Sequence, residues 1–514
     1  MSEYHLVFGV IFSLSLLQII DAQLLTMQNI PQWRSVLYPY DDLGDPLVLT
    51  ELIEDGNEDE ARKMARVNES EFLGVVSYSG FLTVNDDYDS NLFFWFFPAV
   101  GTEKLYEDDR EDSDDDDGSY SGIHDNDDSR KEPPPKLMFG SKKTRNNTQK
   151  FAHKLKKEYK RPVVLWLQGG PGSSSLFGLF TENGPFFVND DKKTIRKNPF
   201  SWHTKYNLLF IDNPVGAGFS YTDPDGYCKN ITQVGDHLYI GLKQFFELFP
   251  WLQQNEFFIT GESFAGKYIP SIGNAIWEGN KEEDFIINLQ GLALGNALSD
   301  PINMLEYADF AYQTGLVDVH GKNAMRLFEL LAKEYFPSVE SKIYWDTMLY
   351  AFIQSSNYSN VYNILQPEML DLESYRKYIE QNHVRRAIHV GGASFKSPEY
   401  VYINLIPDFM TTAMHWTEKL LNEGLRIMYY SGNMDFIVAY PLSENAYQHM
   451  KWNGSEKYRS ARRESLIVNS KMAGYFKVAD NFVDALVLNA GHMVPTDQPE
   501  VALELIDRFI RNDL

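Results

Sequence analysis

Cysteine is nearly absent. Cys228 stands alone in 514 residues, which excludes an intrachain disulfide and any metal site built on cysteine thiolates. A chain of this length does not need such staples, because it can bury a large core in one big domain or two. Basic charge is also short: 47 Lys and Arg stand against 72 Asp and Glu, a formal net charge of −25. Nucleic acid is therefore not expected as the main partner, since neutralising phosphates needs a basic face. Long apolar runs are missing beyond the N-terminus, so the mature chain is expected to have no membrane span. What remains, 43% hydrophobic and 14% aromatic, is the composition of a globular protein rather than a disordered one.

The one apolar run, Leu6–Ile20 (LVFGVIFSLSLLQII), has the length of a signal-peptide core and is short for a bilayer span. With Ile20-Asp21-Ala22 before Gln23 as a small-residue cleavage site, it predicts a signal peptide over residues 1–22. A membrane anchor and a buried helix are the competing readings. Five Asn-x-Ser/Thr sequons, at Asn68, Asn146, Asn230, Asn357 and Asn453, agree with secretion and glycosylation. About as many arise by chance in a chain this long, so they add little.

Strands are predicted at 74–84, 91–100, 162–168, 206–212, 256–260, 287–294, 426–432 and 485–491, several of them continuous apolar runs of the kind buried on both faces. Helical patterns such as 233–249 and 265–277 lie between them. This alternation predicts an α/β fold with a mostly parallel sheet between helices. From about 300 to 400 the strand signal fades and helical segments such as AMRLFELLAKEYF replace it, which predicts a helical insertion over the carboxyl ends of the strands. Residues 103–161 form a charged insert. Glu107–Asp128 holds twelve acidic residues and one Arg, and Arg130–Arg161 holds twelve Lys or Arg and two Glu. Such a composition cannot bury enough apolar area to order itself, so a solvated, disordered insert is expected, with heparin or nucleic-acid binding by its basic half as the lesser reading.

The chemistry concentrates at FFITGESFAGKYIP (257–270), where Ser263 sits between a strand and a helix. A G-x-S-x-[GA] match alone is weak, but on a strand-to-helix corner it is what a nucleophile elbow requires. Gly261 and Ala265 are small because a tight turn brings helix against strand. A serine hydroxyl needs a base, and the base needs an orienting acid. Asp435 lies just past the strand RIMYYSG, and His492 just past ALVLNAG, in the chain order of this type of triad. The glycine-rich turn in VVLWLQGGPGSSS (163–175) allows backbone amides to approach a ligand, so the N–H groups of Gly170 and Phe264 are the expected oxyanion donors. The phosphate-loop reading of that turn fails for want of its G-K-[ST] ending.

Together, WLQGGPGSSS, NLLFIDNPVGAGFSY, GESFAGKY, GNALSDP, YSGNMDFIV and AGHMVPTDQP resemble the serine carboxypeptidases, nearest to the vitellogenic and lysosomal-like branch. The resemblance runs from about Asp45 to Ile510, interrupted by the charged insert. It implies an α/β-hydrolase fold with a helical cap over a catalytic domain of residues 23–514. It also implies release of single residues from peptide or protein C-termini by a Ser-His-Asp acyl-enzyme route at acidic pH, in a secreted or lysosome-like setting. No cofactor or metal is called for. The terminal carboxylate of the substrate would be received by Trp166, Gln168, Glu182 and Glu262, and Met493 would line the side-chain pocket. The chain departs from the family where Gln168 replaces the common Asn, Ser173 a Cys and Phe264 a Tyr. Acyl transfer or ester hydrolysis on the same fold, and a non-catalytic storage or binding role, are the alternatives.

Overall fold

The computed structural model describes residues 43–103, 106, 160–368, 371 and 374–514. The expected signal peptide, nearly all of the charged insert and Asn146 lie outside the described residues. Residues Asp45–Leu514 form one compact unit.

Ten strands make one sheet, and a separate antiparallel pair, β4 (Phe186–Val188) and β5 (Ile195–Lys197), lies apart from it. The centre of the main sheet is parallel, in the order β6 (Asn207–Ile211), β3 (Val163–Leu167), β7 (Phe257–Glu262), β8 (Leu289–Gly295), β9 (Arg426–Gly432) and β12 (Phe482–Val487). Antiparallel hairpins extend both ends: β1 (Tyr78–Asn85) with β2 (Ser90–Phe97), and β10 (Glu464–Val468) with β11 (Lys471–Ala479).

Side-chain alternation explains why these runs are apolar throughout. In β2, Leu92, Phe94 and Phe96 enter the core on one face, while Phe93, Trp95 and Phe97 enter the core on the other. In β3, Val163, Leu165 and Leu167 face the first core, and Val164 and Trp166 the second. A strand covered on both sides has no use for polar positions. Ile231–Leu248 and Ala265–Glu282 cover the first face, and Leu176–Thr181 and Pro499–Arg511 the second.

All eight expected strands are present within a few residues. The hairpin β10–β11 was not expected, for a physical reason. It lies at the sheet end, its burial alternates (Ser465 exposed, Leu466 buried, Ile467 exposed), and its turn residues Asn469 and Ser470 sit at φ 48° and 61° without the glycine that marks such turns. Between β8 and β9 the chain is helical, including Val319–Glu334, Val339–Ser356, Ser374–Ile379 and Glu399–Phe409.

Strand β3 has β6 on one side and β7 on the other, so the chain's winding direction reverses beside it. Ligands bind at the carboxyl ends of strands at such a reversal. Gln168–Gly170 and Ser263 occupy those ends.

Candidate active site

Ser263 follows the last residue of β7 and precedes the helix Ala265–Glu282, at φ 61°. A left-handed conformation is costly for a residue with a Cβ. Here the surroundings impose it: Ser263 N donates to Gly295 O at 2.9 Å, while Ser263 O accepts from Gly266 N and Leu298 N, both at 2.9 Å. The small neighbours are a packing requirement. A Cβ on Gly261 would lie 2.2 Å from Leu167 O, and one on Gly266 would lie 2.7 Å from Ala297 Cβ. The same holds for Gly169, whose added Cβ would reach Phe264 N and Ser263 Cβ at 2.6 Å.

Asp435 and His492 are delivered by the turns after β9 and β12. His492 Nδ1 and Asp435 Oδ2 are 2.7 Å apart, both residues buried. A carboxylate can only accept, so Nδ1 carries the proton and leaves Nε2 as the basic nitrogen. Among the described residues Nε2 has no hydrogen-bond partner, and His492 lines the same cleft as Ser263. The Ser263–His492 hydrogen bond is not formed in this state, as is common for catalytic contacts that tighten on substrate binding. Burial pulls the His492 pKa down, but Asp435, and behind it Glu262, outweigh this and raise it above the usual histidine value.

Gly170, at φ +114°, and Phe264 flank Ser263, and among the described residues neither of their amides donates a hydrogen bond within the chain. They are free to meet an oxyanion. The glycine-rich turn is braced by Asp212, to which the sequence reading gave no role. Its Oδ1 accepts from Ser174 Oγ (2.6 Å) and Ser175 N (2.9 Å), and its Oδ2 from Phe219 N (2.8 Å). Asn296, also unassigned by that reading, donates Nδ2 to Asp435 Oδ2 at 2.7 Å and accepts from Gly432 N at 3.1 Å. Both residues sit inside motifs of the sequence, just past β6 and β8, and position after a strand end was the signal available.

The four residues expected to receive a carboxylate come together. Trp166 Nε1 donates to Gln168 Oε1 at 3.0 Å, and Gln168 Nε2 donates to Glu262 Oε1 at 2.7 Å. The longer Gln in place of Asn is therefore used at both ends of its amide. Glu182 is 1% exposed, and among the described residues neither of its oxygens has a hydrogen-bond partner, nor does Glu262 Oε2. Burial pushes the Glu182 carboxyl up to about 8, and burial together with Glu182 pushes Glu262 well above the usual carboxylate range. Two adjoining buried carboxyls cannot both ionise cheaply. Glu182 is thus held as an acid at neutral pH and Glu262 is biased the same way, which makes both candidates to donate to a bound carboxylate.

Met493 lines the cleft beside His492. Of the sequons, Asn68, Asn357 and Asn453 are exposed, while Asn230 is half-buried and its side chain caps a helix by accepting from Gln233 N at 2.9 Å. Among the described residues no cluster of His, Cys, Asp and Glu could hold a metal, and no helix is long and apolar enough to cross a membrane.

Residues 149–512 match the family model described as serine carboxypeptidase. The chain is 40% identical to the venom serine carboxypeptidase of Apis mellifera, with 94% of each chain covered. It is 34% identical to the vitellogenic carboxypeptidase of Aedes aegypti, over 91% of this chain and 90% of that one. Against the human probable serine carboxypeptidase CPVL the identity is 35%, over 93% and 92%. Among solved structures, the Saccharomyces cerevisiae prohormone-processing carboxypeptidase Kex1 superposes with a TM-score of 0.68 at 23% identity, covering 88% of this chain and 96% of that one. At that identity the likeness establishes the fold, which is the α/β-hydrolase fold.

Proposed function

This chain belongs to the serine carboxypeptidase family and is a serine-type exopeptidase, and from that premise we propose that Ser263, His492 and Asp435 do its chemistry. Ser263 Oγ attacks the carbonyl carbon of the last peptide bond while His492 Nε2 takes its proton, and the oxyanion develops towards the amides of Gly170 and Phe264. The C–N bond breaks as His492 passes the proton to the leaving amine. Water, deprotonated by the same nitrogen, then hydrolyses the acyl-enzyme and frees Ser263. Exopeptidase action, rather than cleavage within a chain, follows from what lies beside the nucleophile. Glu182 and Glu262 act as hydrogen-bond donors to the terminal carboxylate, with Trp166 and Gln168 holding Glu262 in place.

The observation that carries this reading is the pair of buried carboxyls with raised pKa values, of which Glu262 lines the nucleophile's cleft and Glu182 interacts with it. Their protonated range puts the working range on the acid side of about pH 8. It also favours the base: once Glu262 is protonated it no longer raises His492, so neutral imidazole persists further into acid.

The chain is organised as a signal peptide at 1–22 and a catalytic domain at 23–514, with the charged insert at 103–161 and the helical cap at 300–400. Its secretory routing to an extracellular or lysosome-like compartment is supported by the N-terminal apolar run and by relatives named for venom and vitellogenesis. Glycosylation is assigned to the exposed sequons Asn68, Asn357 and Asn453.

The test is kcat/KM against pH for an N-blocked dipeptide and its C-terminal amide, in wild type, Ser263→Ala and Glu262→Gln. Ser263→Ala abolishes turnover. The free acid loses rate through a rising KM above about pH 8, the amide does not, and Glu262→Gln blunts that loss. Superimposed acid and amide profiles would overturn the carboxylate-binding role.

A further inference from the structure

The cleft that holds Ser263 and His492 has a wall the triad does not use. From the cap it receives the rings of Tyr375 and Phe395 and the cationic side chains of Arg376 and Lys396. The rings form a ladder, with Phe177 to Tyr375 at 5.9 Å and Tyr375 to Phe395 at 6.2 Å, and the Arg376 guanidinium lies over Phe395 at 5.4 Å. Lys396 is fixed by its backbone, N donating to Gly218 O at 2.6 Å, and Gly218 in turn abuts Asp212 under the oxyanion turn. Its position relative to Ser263 is therefore set by the same brace that holds the catalytic loop.

Charge makes this wall unusual. In a chain of formal net charge −25, the cleft lining carries two permanent cations and a single carboxyl, Glu262, which burial and Glu182 bias towards its neutral form. Arg376 is shared with Glu380 at 3.4 Å, whereas Lys396 forms no ion pair with a described residue. The wall also lies on a definite side of the nucleophile. It shares its cleft with Gln168, Glu262 and Met493, the end that receives the terminal carboxylate, and not with the Phe264 ring, which packs away against Phe409 at 5.1 Å. A side chain facing Arg376 and Lys396 thus belongs to the residue that is released.

We propose that Lys396, aided by Arg376, selects peptides whose C-terminal residue is acidic, its carboxylate pairing with these cations while its methylenes lie along the Tyr375–Phe395 wall. This rests on the carboxypeptidase reading above and adds the substrate class to it. A charge pair at a half-buried rim is worth a modest discrimination, not an absolute one.

Three N-blocked dipeptides sharing the penultimate residue and ending in Glu, Gln or Lys separate the possibilities, assayed near pH 6, where a Glu side chain with an ordinary pKa of about 4.3 is ionised. The expected order in kcat/KM is Glu above Gln by roughly three- to ten-fold, with Lys lowest, and the Glu/Gln ratio shrinks at high salt. Lys396→Gln brings the ratio towards one, and Lys396→Glu inverts the order so that the Lys peptide leads. If Lys396 only supported the loop, its variants would lower all three rates together and leave the order unchanged, which would overturn the proposal, as would a wild-type Glu/Gln ratio of one or less. Failure of wild type to cleave any of the three would instead bring down the carboxypeptidase reading, and this inference with it.

Discussion

Asp435 is wholly buried, and its charge is met by three donors: His492 Nδ1 at 2.7 Å, Asn296 Nδ2 at 2.7 Å and Val438 N at 3.2 Å. A buried carboxylate left short of partners would draw a proton or swing away, and the imidazole would lose its orientation. Asn296 is well suited to the task because its own oxygen is engaged by Gly432 N, which fixes the direction of its amide. It touches neither substrate nor nucleophile and acts by positioning Asp435. Asn296→Ala is expected to lower kcat about ten- to hundred-fold, the cost of a misaligned base, with KM little changed. Asn296→Asp, which sets a second carboxylate against the first, is expected to be worse and to shift the acid limb of the pH profile. Steady-state kinetics across pH check both. A fall in KM and kcat together, with no change of profile, would reduce Asn296 to a packing residue.

At the scale of elements, the nucleophile helix and the cap are joined through one buried amine. Lys267, one turn beyond Ser263, donates Nζ to Asp408 O (2.9 Å), Phe409 O (2.5 Å) and Thr411 O (2.6 Å), the carbonyls at the end of the cap helix Glu399–Phe409. Those carbonyls are the ones a helix leaves unpaired, and a cation is favoured there. Burial pulls the Lys267 pKa down to about 7, although Asp408 and Asp300 oppose it. Lys267→Met takes the donor from Phe409 O and Thr411 O, while Asp408 O keeps Thr411 N and Oγ1, and is expected to cost about 2–4 kcal/mol. Faster amide exchange across residues 399–412 and a several-fold rise in KM follow, and unchanged exchange there would show that the joint carries no strain. The sequence gives no hint of this contact, because a lysine in GESFAGKY reads as a surface residue and its acceptors are backbone atoms some 140 positions away. The elbow was legible for the opposite reason: Gly261, Ser263 and Ala265 are constrained by neighbours in sequence, and that constraint is written locally. The pairing of Asp435 with His492 was legible through strand ends and chain order, and the grouping of Trp166, Gln168, Glu182 and Glu262 through family likeness alone. The Arg376–Lys396 wall depends on how the cap folds back, which no local pattern records.

Across the whole molecule, buried carboxyls hold protons that the unfolded chain would release. Burial raises Glu182 to about 8, Glu329 to about 7, Asp212 and Asp484 to about 6, and, with help from Glu182, Glu262 well above its ordinary value. An acid with a raised folded pKa contributes its full stability below the unfolded value, near 4, and loses it as pH climbs towards the folded value. Histidines lowered by burial act in the other direction, His237 and His415 among them. Burial lowers His203 and His389 to about 4, so each adds stability as pH rises from about 4 to 6.5 and nothing further beyond. Lys267 enters only above about 7, where its folded form has shed a proton that the unfolded chain keeps. Between about pH 5 and 7 the raised carboxyls, which also include Asp236, Glu247, Asp346, Glu418 and Asp497, outweigh the lowered histidines, and rising negative self-repulsion in a chain of formal net charge −25 adds to the fall. The melting temperature is therefore expected to be highest near pH 5 and to decline towards pH 7. Glu182 supplies much of the slope: holding it neutral at pH 7 against an ordinary value of 4.5 corresponds to about 3 kcal/mol. Glu182→Gln should flatten the decline and melt higher than wild type at pH 7 while binding peptide acids less well. Calorimetry of both proteins at a series of pH values decides it, and a wild-type melting temperature that rises from pH 5 to 7 would contradict the assignment of these carboxyls as neutral in the fold.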